Sequence, residues 1–121
     1  MTNKLYEEGK KLIDEIYELK LKIFNFLSVS TKTTQQMEEI ENGIFALVST
    51  ERHDTTGKYV YPNAEARKAE TKNRLLIHEK YTELLHKTYE LKDEIRVLKA
   101  ELKRKEQLLT LLNTFGDKCD T

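Results

Sequence analysis

The residues able to do chemistry gather in one stretch. Between Glu51 and Lys68 lie Arg52, His53, Asp54, Lys58, Tyr59, Tyr61, Asn63, Arg67 and Lys68. His53 beside Asp54 has the makings of a metal site or an acid-base pair, yet zinc needs three or four convergent ligands and no second His or Cys stands nearby. Asp54-Thr55-Thr56-Gly57 opens like a calcium loop but lacks the alternating acids and the closing Glu. His78 and His86 are eight residues apart, not at the i,i+4 spacing of a zinc-binding helix. The glycines are too scattered to cradle a phosphate, and no Ser or Cys sits in a nucleophile motif. No catalytic residue, cofactor or metal is assigned, and the expectation is a protein that is not an enzyme.

Binding suits the stretch better. Residues 51 to 76 carry six cations (Arg52, Lys58, Arg67, Lys68, Lys72, Arg74) against four carboxylates, and Tyr59 and Tyr61 interleave with them. Tyrosines can stack on bases, and a helix beginning at Asn63 would favour phosphate, so one reading is a nucleic-acid-binding tip. A plainer reading folds Tyr59, Val60 and Tyr61 back to close the end of a helical core. A third makes the tip a surface for a protein partner.

The elements that must position this stretch show in two heptad ladders. One reads Leu5, Gly9, Leu12, Ile16, Leu19, Ile23, Phe26; the other reads Thr88, Leu91, Ile95, Leu98, Leu102, Lys105, Leu109. Facing residue numbers sum to 114 if the chain turns at Gly57, pairing Gly9 with Lys105 and Phe26 with Thr88, although a slip of one heptad would fit the ladders equally. The fold class is therefore all-α: a long antiparallel helical hairpin of coiled-coil type, with helices over about 3–27, 34–49 and 64–113 and a loop over 50–63. Hydroxyl and β-branched residues from Ser28 to Thr34 compete for backbone hydrogen bonds and predict a break in the first arm. Asn63 has the chemistry of an N-cap, and Gly57 that of a turn. The competing architecture folds residues 34–49 back on the first helix as a three-helix bundle. One domain is expected over residues 1–115, with a disordered polar tail over 116–121 holding the only cysteine, Cys119.

Outside the seam a second apolar stripe comprises Tyr6, Ile13, Tyr17 and Phe24 in the first helix. It continues in the last helix with Leu85, Tyr89, Val97, Leu108 and Leu111. A lone hairpin leaves it uncovered, so the chain is expected to form a homodimer, a helical bundle of two hairpins. Lys plus Arg and Asp plus Glu both total 21, so no long-range field draws the chain toward nucleic acid or an anionic membrane. The charged N-terminus lacks the apolar run of a secretory leader, and no stretch approaches the ~20 apolar residues of a membrane span, which points to a cytoplasmic protein without a membrane partner.

The pattern Val48-x5-Asp54-x2-Gly57-Lys58-x2-Tyr61-Pro62-Asn63-x3-Arg67-Lys68-Ala69-Glu70, followed by a long helix rich in Glu, Lys and Leu, resembles small helical proteins of bacteriophages and mobile elements of Gram-positive bacteria. The resemblance implies an accessory protein and carries no activity across. It makes Asp54, Gly57, Asn63 and Arg67 the fixed points of the loop, with Arg67 reaching back to Asp54 or Glu51. The function expected is a non-enzymatic protein that binds another macromolecule, with modulation of a host protein as its setting. The alternatives are a nucleic-acid accessory protein using the tip and a purely structural assembly component.

Overall fold

The computed structural model describes residues 2 to 119, with side chains from Asn3 to Phe115. Among the described residues three helices make up the fold: α1 (Thr2–Thr50), α2 (Ala64–Leu76) and α3 (Glu79–Cys119). They form two compact units, one of Met1–Val29 with Leu91–Thr121 and the other of Ser30–Glu90. In each, α1 lies antiparallel to the returning chain, so the helical hairpin is correct. Among the described residues no helix is long and apolar enough to cross a membrane.

The first arm has no break. Residues 28 to 34 are helical, which also excludes the arrangement that folds residues 34–49 back on the first helix. The seam simply continues through small hydroxyl residues at the next heptad positions, half-buried Ser30 and Thr33, the latter only 2% exposed, before Met37, Ile40, Ile44 and Val48. Thr34 Oγ1 donates to the Ser30 carbonyl at 3.0 Å, so a hydroxyl that competes with the helix elsewhere is here satisfied within it.

The break lies instead in the second arm. The stretch expected as one helix over 64–113 parts at Ile77 and His78. His78 N–H donates to the Leu75 carbonyl at 3.1 Å and closes α2. The same residue starts α3: its Nδ1 accepts from Tyr81 N–H at 3.0 Å and its carbonyl accepts from Thr82 N–H at 3.0 Å. That is the work of an N-cap, performed by an imidazole nitrogen. The tail differs too, because α3 runs on through Gly116 to Cys119. The side chain of Cys119 and residues Asp120 and Thr121 lie outside what is described.

The register is displaced from the expected sum of 114. Lys105 pairs with Glu15 rather than lying across Gly9, and Thr88 Oγ1 meets Met37 Sδ at 3.5 Å rather than facing Phe26. Tyr81 O–H donates to Glu41 at 2.6 Å. The pair in the first unit sums to 120, and the two in the second sum to 125 and 122. In the second unit Phe45 and Asn42 share a groove with Lys68, Thr71 and Leu75, while Glu41 also meets the first turn of α3.

Candidate functional site

The loop from Glu51 to Asn63 is held by its own side chains. A single antiparallel bridge joins Arg52 to Tyr59, supported by His53 N–H to the Lys58 carbonyl at 2.8 Å and Val60 N–H to the Glu51 carbonyl at 3.0 Å. The reversal needs a left-handed residue, and Gly57 supplies it at φ 68°. The Arg52 guanidinium lies over the Tyr59 ring at 4.4 Å and donates to the Tyr59 hydroxyl at 2.9 Å. Asn63 Oδ1 then caps α2, accepting from Ala66 N–H at 2.8 Å.

Arg67 does hold the loop, though not through a carboxylate. Its Nε donates to the Tyr61 carbonyl at 3.0 Å and its Nη2 to the Pro62 carbonyl at 3.4 Å, fixing the entry to the helix that carries it. The tie to Glu51 belongs to Arg74, which sequence reasoning counted only as charge. Arg74 bonds Glu51 at 2.7 Å and Glu70 at 3.0 Å, and sits 5.9 Å from the centre of the Tyr61 ring. Its hydrogen bonds to Glu51, Glu70 and Tyr61 hold it more firmly protonated than an ordinary arginine. The Glu70/Arg74 pair has the readable i,i+4 spacing; the Glu51 link, 23 residues long, has no local signal.

The nine residues expected at the tip therefore divide. Arg52, Tyr59, Tyr61, Asn63 and Arg67 are engaged within the loop and its helix start, whereas His53, Asp54 and Lys58 face outward on the exposed turn. Lys68 is exposed on α2, at the groove beside Phe45. Val60 and Tyr61 are half-buried, whereas Tyr59, 43% exposed under Arg52, does not fold back with them as the core-closing reading expects. Among the described residues no three of His, Cys, Asp and Glu come together in a way that could hold a metal.

The second candidate surface is the stripe outside the seam, and it proves to be two stripes. With seam residues at heptad positions a and d, Tyr6, Ile13, Tyr17 and Phe24 occupy e and b, on one side of the α1/α3 layer in the first unit. Val97, Leu108 and Leu111 occupy c and g, on the other side. The grooves confirm the sides. Ile13, Ile16 and Lys20 share one with Glu106, Leu109 and Thr110, while Lys22, Asn25, Phe26 and Val29 share another, of about 690 Å³, with Asp93, Glu94, Val97 and Leu98. Tyr6, Tyr17 and Phe24 are 72%, 69% and 67% exposed. In the second unit Tyr89 is exposed and Leu85 is half-buried, so Leu85 leaves the stripe.

Comparison with known proteins finds no matching family model, no matching curated protein and no matching solved structure.

Proposed function

We propose that this protein acts by binding another protein, in the accessory role implied by its loop, with self-association on one side of its helical layer and a partner on the other. The observation that carries this reading is the pair of uncovered apolar rows in the first unit. Each large apolar side chain brought out of water contributes roughly 1.5 to 3 kcal/mol, so several on each side make covered faces far more stable than bare ones. The side bearing Leu108, Leu111 and Phe115 is bordered on α1 by Glu8, Lys11 and Glu15. Mixed charge of that kind tolerates a two-fold partner of the same sequence. The loop, braced by three arginines, presents His53, Asp54 and Lys58 as a fixed outward turn and suits recognition by shape.

The test is light scattering with affinity capture from a host lysate. Wild type is expected at twice the chain mass at about tens of micromolar, falling to the chain mass in Leu108→Glu/Leu111→Glu. A wild-type monomer refutes self-association. Capture of the same host protein by wild type and by a variant with residues 52 to 61 replaced removes the loop from the recognition surface. Capture of none by either refutes the binding reading.

A further inference from the structure

The side of the first unit that carries Tyr6, Ile13, Tyr17 and Phe24 is also where the basic residues of α3 collect. Among the described side chains its e and b positions there are Lys92, Arg96, Lys99, Lys103, Glu106, Thr110 and Asn113, and α1 adds Lys10 and Lys20 to the same side. Among the described residues that is six cations and one carboxylate on one face of a chain whose total charge is zero. The six cations are exposed; Arg96 meets Asp93 at 3.4 Å in a solvent-open pair that a better placed carboxylate can displace.

The two kinds of residue are sorted lengthwise. The apolar and aromatic side chains all belong to α1, while four of the six cations belong to α3, so an apolar strip runs beside a basic strip. Each strip repeats by sevens: Tyr6 to Ile13 and Tyr17 to Phe24 on α1, Lys92 to Lys99 and Arg96 to Lys103 on α3. A heptad advances about 10.5 Å along a helix, and only another helix offers matching groups at that pitch. We propose that this face binds an acidic amphipathic helix of a partner protein, its apolar row seated on Ile13, Tyr17 and Phe24 and its carboxylates along Lys92, Arg96, Lys99 and Lys103. This rests on the protein-binding reading above and names the chemistry of the partner.

Other occupants fit less well. A second copy laid face to face would set six cations against six. A bilayer surface attracts cations and aromatic residues alike and has no use for their separation into strips. Along a nucleic-acid strand bases follow at about 3.4 Å, whereas Tyr6, Tyr17 and Phe24 stand about 16 and 10 Å apart along α1. The acidic helix satisfies both strips at once, with apolar anchors in the groove and charge along one flank.

The experiment uses the full chain and a labelled synthetic peptide of three heptads, Leu at a and d and Glu at e and g. Comparison probes are the same peptide with Lys for Glu, vesicles of phosphatidylcholine with phosphatidylserine, and oligothymidylate. The acidic peptide is expected to bind at least about tenfold tighter than its lysine counterpart and to weaken with salt. In Lys92→Glu/Lys99→Glu/Lys103→Glu the order of the two peptides is expected to reverse, a gain that misfolding cannot produce. Tyr17→Ala/Phe24→Ala is expected to weaken both peptides while the helical circular dichroism is kept. Equal affinity for the two peptides, no binding of the acidic one, or tighter binding of vesicles or oligothymidylate overturns the inference. So does a dimer dispersed by Tyr17→Ala/Phe24→Ala. If the acidic peptide fails while the wild type still captures a host protein, the inference falls alone; if capture fails as well, the binding reading falls with it.

Discussion

Proline at position 32 separates a continuous α1 from a broken one. Lys32 is exposed and lies in the middle of the stretch that its neighbours' β-branched and hydroxyl side chains mark as non-helical. In α1 its N–H bonds the Ser28 carbonyl, and a proline ring there removes that bond and collides with the same carbonyl, at a cost of about 3 kcal/mol or more. Thr33, the next residue, is one of the most buried in the chain, so a kink at 32 also drags a seam residue toward water. Lys32→Ala, with the helix intact, should fall within about 0.5 kcal/mol of wild type. The reciprocal change is Glu79→Pro, at the first position of α3, where a missing N–H and a fixed φ are tolerated; it should cost under about 1 kcal/mol. Guanidinium unfolding followed by helical circular dichroism measures all three, and the proline at 32 should lower the midpoint with the slope unchanged. A loss under about 1 kcal/mol for Lys32→Pro relative to Lys32→Ala refutes the continuous helix. An equal loss for Glu79→Pro refutes the break.

Three further outcomes follow from particular contacts. Gly57→Ala should cost about 1 kcal/mol by equilibrium unfolding although nothing lies within 4 Å of the new Cβ, because the strain is in the backbone; Gly57→Asn should cost less. His78→Ala should destabilise by about 1 kcal/mol through loss of the α3 cap, with His78→Asn restoring most of it in the same assay. Tyr81 bonds a carboxylate from a half-buried position, and that bond together with burial pushes its pKa up to about 12 from 10.0. Because the fold raises this value, the stabilisation is complete below pH about 10 and is lost as the pH climbs through about 12. The deficit of Tyr81→Phe relative to wild type, about 1 kcal/mol near neutrality, should therefore shrink over that window in unfolding curves. A deficit constant to pH about 12 would sink the assignment.

The ladders made the antiparallel hairpin legible, and Gly57 and Asn63 announced the turn and the cap by residue type alone. What was misread shares one cause: the local signal and the tertiary one disagreed. Ser30 and Thr33 are poor helix formers by propensity, but they stand four and seven residues after Phe26, where the seam comes round, and packing decided. At the real break no Gly or Pro gives warning, since the cap acceptor is an imidazole. The displaced register was invisible to the ladders because they are periodic by seven.

A net charge of zero argues against a long-range field and says little about contact. Counter-ions screen exposed charges beyond about 8 to 10 Å, close to the distance between neighbouring helices, so a partner at the surface feels one face at a time. On α3 the e and b columns gather Lys92, Arg96, Lys99 and Lys103, while Asp93, Glu94 and Glu101 fall at f and g. The heptad phase that packs the seam thus also sorts the charges, and a chain neutral as a whole acquires one face that, among the described residues, carries net charge +5 from six cations and one carboxylate. Exposed charges at the margin of a contact act chiefly on the encounter, so charge reversal on α3 should act mainly on how fast an acidic partner arrives and on its salt dependence, and less on how fast it leaves.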